Sequence, residues 1–155
     1  MKPTQPALTF AFEMYATLGP PTEVGKLANG LVRRIIPVTG GTFEGPGIKG
    51  TVVAGGADWQ IVTPDGIAVL DARYTLQTEQ GHSIYISNRG IRHGKPEVVK
   101  RLAAGEEVDP SEYYMRTCAE MEASAPELDW VRRSVFVCSG ARVKNAVVIA
   151  FYKVE

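Results

Sequence analysis

Charged and aromatic side chains interrupt strand-like apolar runs at several points in this 155-residue chain. Asp58 and Trp59 stand just before the tetrapeptide Thr63-Pro64-Asp65-Gly66, and Asp71 and Arg73 stand just after it. A carboxylate in such a place can accept or return a proton, and a guanidinium presents a planar fork to a carboxylate or an enolate. An indole face beside that guanidinium adds a cation–π contact. Further charges intrude at Arg33-Arg34, ahead of Ile35-Ile36, at Glu44, and at Glu120 and Glu122, which flank Met121. The chemistry these types support is acid–base work on a small anion. Glu122 or Asp58 would be the general base, with Arg73 stabilising negative charge as it develops in an isomerase, lyase or cyclase step.

Other chemistries lack their residues. His82 and His93 have no ligand-like spacing with each other or with Cys118, so no metal site is expected. There is no G-x-S-x-G elbow and no Cys and His arrangement for nucleophilic catalysis. The stretch GPGIKG followed by Thr51-Val52 spells G-x-G-x-x-G-x-V. A dinucleotide site needs a helix directly after those glycines, to meet the pyrophosphate with its N-terminal amides. Here Thr51-Val52-Val53-Ala54-Gly55-Gly56 reads as a short strand and a turn, and Lys49 precedes its glycine where a phosphate loop places lysine after it. No cofactor is expected. The five glycines from Gly40 to Gly50 are read instead as a corner of a strongly curved sheet.

The elements that position these residues are short runs of Val, Ile, Thr, Tyr and Phe, punctuated by 16 glycines and 10 prolines. Strands are expected near 8–18, 30–39, 49–54, 57–63, 67–79, 82–89, 113–123, 132–139 and 145–154. Short connections favour antiparallel pairing, and closure of the sheet into a barrel would remove its edges. Pro96 to Gly105 reads as one short helix, with proline at its first turn, a Glu97–Arg101 pair and a glycine stop. A second helical turn is expected from Pro126 to Trp130, with Ser124 and Glu127 at capping-box spacing.

Register can also be read. Thr63-Pro64-Asp65-Gly66 predicts a three-residue hairpin loop with a bulge. Thr63 then pairs with Ile67, Trp59 with Asp71 and Ala57 with Arg73. Trp59, Asp71 and Arg73 would share one face, whereas a loop one residue shorter would put Asp58 there instead. The alternation of 67–78 puts Ala68, Leu70, Ala72, Tyr74 and Leu76 together and sends Asp71, Arg73 and Gln77 to the other side. That polar side would meet water in an open sheet, and could line a pocket in a barrel.

Composition sets the outer bounds. One domain covering 1–155 is expected, burying roughly two thirds of its unfolded surface. Basic and acidic residues balance at 17 each, so nothing draws the chain to nucleic acid or to an anionic membrane. The longest apolar run, Ala146 to Phe151, is far short of the ~20 residues of a membrane helix. Without a leader-like start the protein is expected to be cytoplasmic, with Cys118 and Cys138 as ordinary buried thiols.

Taken in order, GGTFEGPGIKG, GGADW, LDARYTL with its following glycine turn, IYIS, YYMRT, a glutamate and a tryptophan resemble the bacterial domain-of-unknown-function family 3237. The resemblance spans roughly Phe10 to Val154. It implies a compact antiparallel β-barrel with a central cavity, of calycin or allene-oxide-cyclase outline. The family's motif residues correspond to Glu44, Asp58, Trp59, Arg73, Tyr74, Arg116, Glu122 and Trp130. Met121-Glu122-Ala123-Ser124 and Trp130-Val131-Arg132 depart from the family pattern.

The expected function is therefore binding of a small carboxylate- or enolate-bearing molecule in a central cavity, an arrangement that would also support acid–base isomerase, lyase or cyclase activity. Arg34, Glu44, Trp59, Tyr74, Arg116 and Trp130 would hold the ligand. The alternative is a structural barrel, filled by its own side chains and assembled as a homodimer.

Overall fold

The computed structural model describes residues Met1–Glu155. Nine strands form one antiparallel sheet: β1 (Leu8–Leu18), β2 (Thr22–Lys26), β3 (Val32–Gly45), β4 (Ile48–Val62), β5 (Ala68–Thr78), β6 (Ser83–Gly94), β7 (Tyr113–Ala123), β8 (Val135–Val143) and β9 (Ala146–Val154). Neighbours run β1-β9-β8-β7-β6-β5-β4-β3-β2, and β1 also pairs with β3. That last pairing closes eight strands into a barrel and leaves β2 as a short flap on β3. The helix α1 (Pro96–Ala103) joins β6 to β7, and α2 (Asp129–Arg132) lies between β7 and β8.

The expected mainly-β barrel with one short helix near 96–104 is what the chain forms. Pro96 opens α1, and Val98 and Leu102 on its inner side are buried. Three expectations about elements need correction. The segments 49–54 and 57–63 are a single strand, because the sheet absorbs Gly55 and Gly56 as a bulge between Val53 and Ala57 rather than breaking there. The strand expected at 30–39 continues to Gly45, and β2 has no apolar alternation that would have announced it. The turn at 126–130 forms, but Ala125 occupies the cap position and no side chain caps it.

The glycine run makes the seam of the barrel. At Gly41 φ is +133°, and an added Cβ would sit 2.0 Å from the carbonyl oxygen of Tyr15 on β1. Only a residue without a side chain lets β3 turn and meet β1 there. Gly47, at φ +72° in the β3–β4 hairpin, has open space around it.

The interior has two unlike halves. In one, Phe12 stacks on Phe151 at 4.4 Å and meets Phe43 edge-on at 5.6 Å. Leu76, Ile84, Ile86, Phe136 and Val131 complete an apolar filling. Trp130 from α2 packs against Phe136, with ring centroids 5.9 Å apart. The other half, nearer α1, carries the polar groups described below.

Gly41→Ala should lower stability by more than about 2 kcal/mol, since both φ and the Tyr15 carbonyl oppose a methyl group. Gly47→Ala should lose only about 1 kcal/mol, from the left-handed φ alone. Urea unfolding midpoints would separate the two, and equal losses would refute the assignment of the seam to close backbone approach.

Candidate functional site

The site begins with strand register. Arg34 on β3 stands opposite Gln60 on β4, and Ile36 opposite Asp58. Asp58 faces Ala72 on β5, Ala72 faces Asn88 on β6, and Arg92 on β6 lies between Ala68 and Met115 on β7. Each of these residues is in phase with the inward apolar set of its strand. Alanines between the polar groups leave room, and the result is an interior cavity of about 60 Å³. Its walls carry Asp58, Gln60, Tyr74, Asn88, Arg92 and Arg142 among methionine, leucine and valine side chains. Arg142, Leu18 and Ile36 also line a basin of about 390 Å³ at the barrel mouth, with Arg34, Leu102 and Glu106.

Hydrogen bonds fix the carboxylate. The β4–β5 ladder pairs Asp58 with Ala72 and resumes at Ile61 with Val69. In that gap the backbone N–H of Asp71 donates to Asp58 Oδ1 at 2.9 Å, and Gln60 Nε2 donates to Asp58 Oδ2 at 3.2 Å. Asn88 Nδ2 donates to the Tyr74 hydroxyl at 3.2 Å. The hydroxyl of Tyr113 accepts from the backbone N–H of Arg142 at 2.8 Å, which anchors that residue at the mouth.

Electrostatics there are unbalanced. Arg34, Arg92 and Arg142 converge on a region with one interior carboxylate. Burial holds Arg92 down to about 10, with Arg142 and Arg34 repelling its charge and Asp58 opposing that shift. It is still charged at neutral pH. Arg142 is lowered by burial and by Arg34. Burial raises Asp58 above the ordinary carboxylate value, outweighing its two hydrogen bonds and the attraction of Arg92. Burial also drives the Tyr74 hydroxyl upward, so it stays protonated. Four buried polar atoms have no hydrogen-bond partner: Nε of Arg34, Nε of Arg142, Oε1 of Gln60 and Oδ1 of Asn88. Native interiors seldom leave such atoms unpaired, so these four call for partners from ordered water or a bound group.

Three of the residues singled out from sequence meet here: Asp58, Tyr74 and Arg34. The others do not. The predicted hairpin register holds, with Ala57 opposite Arg73, but the Trp59–Arg73 face points outward. Arg73 is exposed and pairs with Asp71 at 3.7 Å, so it is not an interior anchor. Trp59 lies on the same outer surface at 38% exposure. Glu122 and Arg116 are out of phase with the buried residues of β7, and the guanidinium of Arg116 rests 5.4 Å from the Tyr114 ring on the outside. Glu44 is exposed beside the seam rather than at the cavity rim. Trp130 belongs to the filled half. For those on strands the physical reason is common: closure selects the apolar face of each strand for the inside, whatever charges the other face carries.

The residues missed were Gln60, Asn88, Arg92 and Arg142. Their signal was present as polar side chains in step with an apolar face. Asn88 and Arg92 share parity with Ile84 and Ile86, and Arg142 with Phe136 and Cys138.

With the geometry in place, likeness to known proteins decides the family. "Protein of unknown function (DUF3237)" matches residues 6–154. The chain belongs to this family. The family member UPF0311 protein RPA1785 of Rhodopseudomonas palustris is 40% identical over 145 residues, 94% of each chain. The crystal structure of RPA1785 superposes with a TM-score of 0.91 at 38% identity, over all of both chains. A β-barrel-like family protein from Acinetobacter baumannii AYE gives a TM-score of 0.87 at 40% identity over 99% of each chain. A more distant relative, the "Hydroalkoxylation enzyme phnH" of Penicillium herquei, is 33% identical over 86 residues, 56% of each chain. Within the DUF3237 barrel described here, no helix is long and apolar enough to cross a membrane.

Two outcomes follow from this environment. Because burial raises Asp58 in the fold, the folded chain binds that proton more tightly than the unfolded chain. Its contribution to stability is fullest below the ordinary value of 3.8 and is lost as pH climbs through the raised folded value. Wild type should therefore weaken relative to Asp58→Asn across that window in urea unfolding, and a pH-independent difference would contradict the assigned burial. Secondly, burial pushes the Cys138 thiol up to about 12, whereas Cys118 is exposed rather than buried as expected from sequence. Iodoacetamide should label Cys118 alone in the folded protein, and mass spectrometry showing label on Cys138 would refute its enclosure.

Proposed function

We propose that this family member is a small-molecule-binding barrel whose ligand carries an acidic oxygen, and that Asp58 moves a proton to or from that ligand. The observation that carries the reading is the convergence of Arg34, Arg92 and Arg142 on one interior carboxylate, with unpartnered polar atoms around it. Buried like charges reduce stability unless something compensates them, and an anion entering from the mouth would do so. Such a cluster has no use in a merely structural barrel, where apolar filling like that of the phenylalanine half serves better.

The chemistry this set supports is general acid–base catalysis. Guanidinium groups stabilise negative charge on an enolate, phenolate or carboxylate oxygen as it develops. Asp58, raised by burial above the ordinary carboxylate range, takes up a proton more readily than an exposed aspartate and can return it to a ligand. The name of the P. herquei relative agrees with a step of this kind. In a hydroalkoxylation, a C–O bond forms as a C=C π bond is lost. The hydroxyl proton would leave to the Asp58 carboxylate and return to the other alkene carbon, so no oxidant or reductant is needed. The empty interior of about 60 Å³ is small beside the roughly 300–1,000 Å³ of sites for drug-sized ligands. A ligand would therefore be compact, or would extend from the cavity into the mouth basin.

The test is a thermal-shift screen against small carboxylic acids and phenols. A ligand at about 100 times its Kd should stabilise wild type by about 2.7 kcal/mol. Arg92→Met should remove that shift while making the ligand-free protein about 1 kcal/mol more stable, as expected when an unpaired buried charge becomes apolar. Arg73→Ala on the outer wall should retain the shift. Equal shifts in wild type and Arg92→Met would reject the interior arginines as the anion site.

A further inference from the structure

We propose that the ligand is a compact organic dianion, held at two separate acidic groups by Arg34 and Arg142 at the mouth and Arg92 inside, and carrying a hydroxyl that reaches Gln60. This rests on the reading above, that an anion enters the arginine-lined half, and adds its charge, length and donor.

The first argument is charge count. The charged groups facing the cavity and its mouth are Arg34 from β3, Asp58 from β4, Arg92 from β6, Arg142 from β8 and Glu106 from the segment after α1. Tyr74 on β5 stays protonated, while β1, β7 and β9 contribute no charge to the lining. Glu106 is already engaged by Arg101 Nε at 3.0 Å. Glu23 reaches Arg34 only at 3.8 Å, from an exposed position. Neither Arg92 nor Arg142 has a carboxylate within ion-pairing distance, since every ion pair in the fold involves other residues. With Arg34 offset by the exposed Glu23, Arg92 and Arg142 remain as two guanidiniums without a paired carboxylate. A monoanion would neutralise one and leave the other buried and unpaired, the arrangement that costs most in a low-dielectric interior.

The second argument is hydrogen-bond geometry. Nε of Arg34 and Nε of Arg142 are both buried donors without acceptors, and they sit on different strands. Two unfilled donors on two walls call for acceptor oxygens at more than one point. Farther in, Gln60 is 1% exposed, and its Oε1 is an acceptor without a donor. Nε2 is the end that meets the ionised Asp58 carboxylate, which leaves Oε1 as the free acceptor. A ligand hydroxyl supplies the missing donor. The mouth basin of about 390 Å³ has room for the group that the interior cannot hold.

Isothermal titration with malate, succinate, lactate and inorganic sulfate tests this directly. Malate and lactate share the 2-hydroxyl and differ in the second carboxylate, whereas succinate keeps both carboxylates and lacks the hydroxyl. Malate should bind at least about tenfold more tightly than lactate, with succinate between them. Arg34→Gln, at the mouth and outside the packed core, should bring the malate-to-lactate ratio close to one while lactate binding persists. Equal affinities for malate and lactate in wild type, or an unchanged ratio in Arg34→Gln, would overturn the dianion. Sulfate binding as tightly as malate would overturn the two-point geometry in favour of a bare charge site. If a monoanion from the wider screen binds and loses its affinity in Arg92→Met while malate shows no preference, the anion site stands and only this inference fails. If no acid binds at all, both fail together.

Discussion

Everything in this molecule depends on the pairing of β1 with both β9 and β3. That double pairing closes the sheet, and closure decides the inside of every strand at once. A strand in an open sheet can leave either face to water, but a strand in this ring has one face committed to the interior. The seam is possible because glycine stands where the backbones touch. Besides Gly41, an added Cβ at Gly45 would lie 2.1 Å from the carbonyl oxygen of Ala11. The glycine run that spells a nucleotide fingerprint is therefore a backbone requirement of closure.

Closure also divides the interior by chemistry. Phenylalanines from β1, β3, β8 and β9 fill one half, aided by Leu76 and the β6 isoleucines. In the other half, Ala16, Ala72 and Thr117 leave the space that Arg92, Asp58 and Tyr74 border. A packed aromatic half supplies the stability that a half with buried charges lacks, a distribution familiar from proteins whose binding sites are locally unfavourable. Arg92 and Arg142, both lowered by burial and by neighbouring guanidiniums, record that local cost.

The carboxylate gains its character from the same enclosure. Asp58 is tied by the Asp71 amide and the Gln60 side chain, which would ordinarily hold it ionised, yet burial prevails and raises it. A group so placed takes up a proton more readily than an exposed aspartate, and an anionic partner among the arginines could exchange it. Asp71, two strand positions from Arg73 on the outer wall, bonds instead with Arg89 Nε at 3.1 Å and meets solvent. Neighbouring carboxylates thus have different chemistry because one side chain turns inward and the other out.

The sequence by itself determined the all-β architecture, the helix at Pro96 and the corner at Gly41, and narrowed the β4–β5 register to two versions between which the structure chose, because each rests on local rules: glycine and proline geometry, period-two alternation and turn type. It also determined which residues of one strand share a face. Alternation does not say which of two faces lies inside when both carry polar groups, as in 57–75, where Trp59 and Arg73 oppose Asp58 and Tyr74 across the strand. Only the closed sheet decided that, by burying the face with Leu70, Ala72 and Tyr74 and carrying Asp58 in with them. Nor does local sequence bring Arg34, Arg92 and Arg142 together, since they come from three strands that meet only around the ring.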